Sequence, residues 1–257
     1  VRPVLFSIGN IEFHSWSFMF FVAVITVFLL ALKETPWQQV EEKFKGKFYD
    51  YALEAFLMSF FLAIIGSRLM FVVTHWELVA GKPWWEILAF WRGGMVYYGG
   101  LFAVIAGGAF YCYYRGIRFW ETADHIIAYA PLGYAIARVG CFLNGCCYGK
   151  VTGMPWGVVF PVVDALPRHP TQLYSSVSAL VIFFILRRLK IVRPPFDGYI
   201  VAWFLLLYGA YRFIVEFFRV SDPVLLSLTL AQVTALVFMA AGAVTLLVKK
   251  RNYYVPL

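Results

Sequence analysis

Charge is what this 257-residue sequence has least of. Asp, Glu, Lys and Arg make up 14% of it, against about 25% in an average soluble domain. The acidic side is the scarcer one, with 14 Asp+Glu facing 22 Lys+Arg. Cysteine is rare too, at four residues, which excludes a small disulfide-stapled secreted fold. There are no polar low-complexity tracts and no internal repeats, which excludes a disordered chain and a solenoid. What fills the sequence is apolar: 62% is hydrophobic, 20% is aromatic, and the mean hydropathy is +0.74. A soluble enzyme fits this poorly, and a polytopic membrane protein remains.

A helix that crosses a bilayer needs about 20 mostly apolar residues. Seven stretches qualify, roughly Trp16–Leu32, Tyr51–Val73, Met95–Tyr114, Ala123–Leu143, Gln172–Leu186, Tyr199–Phe218 and Val224–Val248. The predicted fold is therefore all-α, with about seven transmembrane helices. Continuous runs such as FMFFVAVITVFLLAL argue against the strict alternation of a strand barrel. The fourth stretch is the least apolar and carries Gly133 and Gly140, so it is expected to be shielded by the others. The beginning, VRPVLFSIGNIEF, lacks the pattern of a signal peptide, and no leader is expected. Residues 1–257 are expected to form one domain, with a short folded cap around 144–170.

The basic residues sort by side. Thirteen, among them Lys33, Lys43, Lys45, Lys47, Arg115, Arg118, Arg187, Arg188, Lys190, Arg193, Lys249, Lys250 and Arg251, fall on one face of the predicted bundle. Six, namely Arg2, Lys82, Arg92, Lys150, Arg168 and Arg219, fall on the other. This bias places the N-terminus outside and the C-terminus in the cytoplasm. The formal charge of +8 is thus mostly a topology signal, and no nucleic-acid partner is expected.

Three basic residues belong to neither face. Arg68, Arg138 and Arg212 lie within predicted spans, where each costs about 2.5–3.5 kcal/mol to insert. With the predicted orientation, all three sit near the outer ends of their spans. One such arginine is as readily explained by snorkelling, but three at one depth favour a shared role. Glu216, four residues on, can pair with Arg212 on one helix face. Arg68 and Arg138 have no acid within helical reach, so a bound anion is the expected partner. The planar guanidinium fork suits phosphate, and the abundant outer-leaflet anion is a phospholipid headgroup. Polar residues gather on the same side: His14, Tyr97, Tyr98, Cys141, Asn144, Cys146, Cys147, Arg168, His169, Gln172, Tyr174 and Tyr208. For a lone tyrosine here an interfacial aromatic belt is the plainer reading, and for His14 alone a structural role. The glycine pairs in GGMVYYGG allow close approach, either of a neighbouring helix or of a ligand.

Several stretches, in order, resemble the bacterial prolipoprotein diacylglyceryl transferases. ARVGCFLNGCCYG (Ala137 to Gly149) is similar to that family's signature of Gly/Ala-Arg-x-Gly-x-Phe-x-Asn-Gly with a closing Gly. FSIGNIEFHSW, RGGMVYYGG, RHPTQLY and YGAYRFIVEFFR resemble its other blocks. The resemblance implies transfer of the diacylglyceryl group of phosphatidylglycerol to the lipobox cysteine in the signal peptide of a preprolipoprotein. Glycerol 1-phosphate is released, and no metal or organic cofactor is implied. The implied place is the bacterial cytoplasmic membrane, among membrane lipids, with the site facing the outer leaflet. The implied roles give Arg138 and Arg212 to stabilising the leaving phosphate, with Arg68 close by. Asn144, Gly149 and Tyr208 join the headgroup site, and Glu216 orients Arg212.

The sequence also departs from the family. Tyr98 stands where the family has a motif histidine, Cys146 where it has an acid, Cys141 where it has an asparagine, and Trp16 where it has a tyrosine. Tyr98, a proposed catalytic residue, is a weak base at neutral pH. The proton acceptor is therefore open among Tyr98 polarised by arginines, His14, His169 and the lipid phosphate. These changes also leave open a paralogue with another lipid or acceptor, or a phospholipid-binding protein without chemistry. Four readings of Cys141, Cys146 and Cys147 stand: a disulfide from Cys141 to Cys146 or Cys147, buried thiols, a relay thiol, or a metal site completed by His14 or His169. The last is disfavoured because adjacent cysteines are not a tetrahedral ligand spacing. Cys112 reads as a packing residue.

Overall fold

The computed structural model describes residues 2–8, 11–34, 48–192, 194–224 and 227–253. Lys43, Lys45, Lys47 and Arg193, part of the predicted orientation signal, lie outside the described residues, as do Gly9 and Asn10 of the N-terminal motif. The described residues form two compact units, Thr35–Thr122 and the remainder of the chain.

Eight helices are described: α1 (Ser15–Lys33), α2 (Phe48–Thr74), α3 (Tyr97–Arg115), α4 (Phe119–Ile127), α5 (Ala130–Asn144), α6 (Thr171–Ile191), α7 (Tyr199–Glu216) and α8 (Leu230–Tyr253). Each of the seven predicted spans falls on one of them, or on the pair α4 and α5. Four are long and apolar enough to cross a membrane, within α1, α2, α7 and α8. A fifth arises if α4 and α5, bent by 40° at their break, form one span. The other two are long but less apolar, for readable reasons. Five tyrosines and four glycines dilute α3, and α6 buries Thr171, Gln172, Ser175 and Ser176 in its first turns.

The distribution of burial is that of an integral membrane protein. Only Ser15 and Ala23 of α1 are buried, whereas Phe21, Leu29, Phe61, Phe184 and Leu247 stand exposed. Among the buried polar residues are Arg68, Asp124, Gln172, Glu216 and Gln232. A bilayer cannot satisfy polar groups, so they turn inward and find partners there.

In the larger unit, β1 (Val4–Ile8) and β2 (Ile11–His14) form an antiparallel hairpin that leads into α1. Ser15 locks the junction by donating to the Pro3 carbonyl at 3.0 Å. Small residues set the helix spacing. A Cβ at Gly140 would come within 2.8 Å of Met19 Cβ, and one at Gly133 within 2.9 Å of Val27 Cγ2, so α1 lies directly on α5. Gly209 and Gly242 do the same between α7 and α8. Ala128, Tyr129, Ile182, Phe183, Leu186, Ile200, Tyr211 and Val215 form the core. Asp124 accepts the free N–H groups of Gly198 (2.7 Å) and Val201 (2.9 Å), capping the start of α7. At the same end, Glu34 takes Arg187 at 2.7 Å and the Tyr129 hydroxyl at 3.0 Å. Burial alone would raise the Glu34 carboxyl, but these bonds hold it below its ordinary value.

In the smaller unit, α2 and α3 pack through their small residues. Gly99 backs onto Gly66, and Gly100 onto Ala63 and Ser67. Of the two readings open for the glycine pairs, Gly99 and Gly100 take the helix-packing one. Three 3₁₀ turns, Trp76–Leu78, Trp84–Leu88 and Phe90–Arg92, join the two helices.

Candidate active site

The site in the larger unit is built where three helix ends meet one turn. Helix α5 stops because Gly145 enters the left-handed region (φ 76°) and its N–H returns to the Phe142 carbonyl. The next residues are pinned from α6. Thr171 Oγ1 donates to the Cys147 carbonyl at 2.7 Å, and Gln172 Nε2 to the Cys146 carbonyl at 2.7 Å. Gly149 then runs against the end of α7, pairing with Arg219. A Cβ there would lie 2.8 Å from both His169 Cβ and Thr171 Cγ2, and closer still to the Phe218 carbonyl. The signature glycine is thus required by backbone contact.

Arg138 projects from α5 with its guanidinium 4.7 Å from the centre of the Tyr134 ring. It is partly buried, and Tyr211, Cys141 and Cys147 are its electrostatic neighbours. Among the described residues, no carboxylate pairs with it. Arg212 differs. It is 22% exposed and donates through Nη1 to Glu216 Oε2, the pairing expected at i, i+4. Glu216 is 4% exposed. It also takes Arg219 Nε at 3.6 Å and the Thr229 hydroxyl at 3.0 Å. Arg219, which the sequence reading left among the scattered outer charges, is therefore part of this constellation. Its i, i+3 spacing from Glu216 is the signal that could have found it.

The remaining predicted residues of this unit take different places. Asn144 ends α5, two residues before Cys146, which lies in the pinned turn. Tyr208 stacks on Phe204 at 5.3 Å and meets Tyr134 and Tyr211 edge-on, so it belongs to the aromatic wall beside Arg138. His169 lies next to the turn, hydrogen-bonded through Nδ1 to the Tyr174 hydroxyl at 3.0 Å and packed on Phe218. His14 does not join them; it is 54% exposed on the β1–β2 hairpin, 3.9 Å from Glu12. Gln172 was missed as a site residue although its block was recognised. It is fully buried, and its Oε1 has no hydrogen-bond partner among the described residues.

Arg68 and Tyr98 belong to the smaller unit. Arg68 finds its partners in the protein, where a bound anion was expected. Its Nε donates to Ile87 O (3.0 Å), Nη1 to Gly93 O (2.7 Å) and Gly94 O (3.1 Å), and Nη2 to Glu86 O. One guanidinium thus satisfies four carbonyls of a connection that has no sheet or long helix to satisfy them. Tyr98 is 50% exposed in the first turn of α3, its ring edge-on to Tyr97.

The three cysteines are free thiols, and their sulfurs all lie within 4.8 Å of one another. Hydrogen bonds from Cys141 and Cys146, then the charges of Arg138 and Arg219, pull the Cys147 thiol below its ordinary value against the effect of burial. Further along, β3 (Val158–Val159) and β4 (Pro167–Arg168) form a two-residue ladder, beside the ion pair of Arg168 and Asp164. The hydrogen bond from Arg168 holds the Asp164 carboxyl below its usual range.

A family model described as prolipoprotein diacylglyceryl transferase matches residues 3–248. A phosphatidylglycerol–prolipoprotein diacylglyceryl transferase of Desulfotalea psychrophila is 34% identical, over 87% of this chain and 82% of its own. One from Mannheimia succiniciproducens is 33% identical, over 86% of this chain and 80% of its own. One from the Wolbachia of Brugia malayi is 33% identical, over 96% of this chain and 94% of its own. A match from residue 3 to residue 248, through the arginine-bearing helices and the pinned glycine turn, places this protein in the prolipoprotein diacylglyceryl transferase family.

Proposed function

We infer that this chain transfers the diacylglyceryl group of phosphatidylglycerol to the lipobox cysteine thiol of a preprolipoprotein. The site faces the outer leaflet of the bacterial cytoplasmic membrane, with the C-terminus in the cytoplasm. The observation that carries the reading is Arg138, a partly buried guanidinium over the Tyr134 ring with no carboxylate partner among the described residues. Such a cation needs an anion, and the phosphodiester is the anion a bilayer supplies.

The chemistry follows from charge. The thiol sulfur forms a bond to the terminal glyceryl carbon of the diacylglyceryl group. The bond from that carbon to the phosphate ester oxygen breaks, and its electron pair stays on the oxygen. The diester carries one negative charge and the departing glycerol 1-phosphate gains a second. The thiol proton balances that second charge, either on the phosphate, whose second pKa is about 6, or in solvent. Negative charge therefore grows on the phosphate oxygens as the bond breaks, and a fixed guanidinium lowers that barrier. Arg138 takes this role directly. Arg212 shares it with its geometry set by Glu216. Asn144, Gly149 and Tyr208 shape the headgroup site around them. Tyr98 is retained as a proposed catalytic hydroxyl at the start of α3.

The deciding experiment is reconstitution. Purified protein, phosphatidylglycerol and a lipobox peptide should give a peptide heavier by one diacylglyceryl group in the mass spectrometer. Turnover of another thiol or alcohol in place of that peptide assigns a different acceptor. Lipid binding without any covalent product, while a relative is active in the same vesicles, removes the enzymatic reading.

A further inference from the structure

The turn after α5 carries three sulfurs to which the proposed transfer assigns no step. Cys141 lies in the last turn of α5, and Cys146 and Cys147 follow Gly145. Their Sγ atoms all lie within 4.8 Å of one another. This convergence is held against a cost. Cys147 sits in the left-handed region at φ 64°, where a residue with a Cβ loses about 1–2 kcal/mol. Three anchors fix it there: Cys146 N–H to Cys141 O at 3.1 Å, Gln172 Nε2 to Cys146 O, and Thr171 Oγ1 to Cys147 O. Both anchoring side chains of α6 are fully buried. Strain that the surroundings over-determine marks a built site, and here it brings the sulfurs together.

The geometry selects the ligand. A metal bound by three sulfurs at about 2.3 Å holds them on the order of 4 Å apart, so the cluster closes by less than about 1 Å. Among the described residues, no histidine or carboxylate joins the group to make a fourth ligand. Adjacent cysteines are a poor tetrahedral pair, but a three-coordinate site needs only that the sulfurs share one point, which the left-handed Cys147 allows. Soft thiolates with low coordination favour Cu(I) among the biological metals.

We propose that Cys141, Cys146 and Cys147 form a trigonal thiolate site for Cu(I). Three copper–sulfur bonds form, the sulfur-bound protons leave to solvent, and no oxidation state changes. Binding rests on the sulfur geometry and not on the transferase reading, so each can fail alone.

The test loads the reduced 257-residue protein in detergent with Cu(I) alone, without oxygen, and challenges it with a Cu(I) chelator. One copper per chain should survive a chelator concentration that strips Cys141→Ser, Cys146→Ser and Cys147→Ser. Cys112→Ser should keep its copper. X-ray absorption of the loaded native protein should count three sulfur neighbours, a readout that holds even if a variant misfolds. Two sulfurs or fewer, or copper lost as easily from native protein as from the variants, overturns the site. Retention of Zn(II) in preference to Cu(I) overturns it as well, and so does a native disulfide within the cluster.

Discussion

Arg138→Ala and Arg212→Ala remove the same guanidinium, yet the structure assigns them different costs. Arg138 rests on the Tyr134 ring and pairs with no described carboxylate. Its loss forfeits a ring contact worth about 0.5–1 kcal/mol and leaves no anion stranded. Activity should pay far more: removing one preorganised stabiliser of a developing oxyanion costs about 10²–10³-fold in kcat, or roughly 2.7–4 kcal/mol. Arg212→Ala strands Glu216, which is 4% exposed. Breaking a buried pair from one side costs about 3–5 kcal/mol. Arg219 at 3.6 Å and the Thr229 hydroxyl at 3.0 Å remain, and Arg212 is 22% exposed. That compensation discounts the loss to about 1–3 kcal/mol. The assay is paired: thermal unfolding in one detergent at one scan rate, and peptide diacylglycerylation by mass spectrometry. Arg138→Ala should melt with the native protein and transfer at least about 100-fold more slowly. Arg212→Ala should melt several degrees lower and be slow as well. An Arg138→Ala protein that works at the native rate, or that melts as low as Arg212→Ala, would falsify the assignment of Arg138 to an external anion.

Gly149→Ala forces a methyl against the Phe218 carbonyl, His169 and Thr171; it should cost about 1–3 kcal/mol as overpacking, seen as a lowered melting point, and a native-like melt would refute the contact argument. Arg68→Lys replaces three donating nitrogens serving four carbonyls with one, so limited proteolysis should cut faster between residues 76 and 94; an unchanged digestion pattern counts against the clamp. Asp164 has a depressed folded pKa, so its stabilisation is present above its unfolded value of about 3.9 and is lost as pH falls through the lower folded value. The melting difference between native protein and Asp164→Asn should therefore shrink from neutral pH toward pH values below about 4, and a difference constant with pH would contradict the pairing. Tyr98→Phe keeps the ring and removes only the hydroxyl, so slower transfer at unchanged melting supports the proposed role, and a native rate removes it.

Hydropathy located the described helices, reading α4 and α5 as one, because burying apolar surface and satisfying the backbone both demand continuous apolar runs. It could not settle which helices are shielded. α6 reads as a marginal span because Thr171, Gln172, Ser175 and Ser176 face inward, where they pin the turn and a neighbouring helix. Local spacing found the pairing of Arg212 with Glu216, since i, i+4 neighbours share a face whatever the tertiary fold. Contacts made across elements were out of reach. The hydrogen bonds from Thr171 and Gln172 to the Cys146 and Cys147 carbonyls join residues more than twenty positions apart. No periodicity encodes that.

The three arginines within the apolar stretches show why depth alone is an incomplete guide. A guanidinium in an apolar setting must recover its lost hydration, and this chain does so in three ways. Arg68 recovers it from carbonyls, which binds a loop to a helix and leaves little donor capacity for a ligand. Arg212 recovers it from Glu216, which fixes its direction but cancels much of its charge. Arg138 has an aromatic face beside it and, among the described residues, no carboxylate to cancel its charge. Electrostatic reach toward an incoming phosphate scales with the charge left uncancelled. Of the three, Arg138 should therefore dominate headgroup affinity and its salt dependence, although all three look equivalent when sorted by position along their spans.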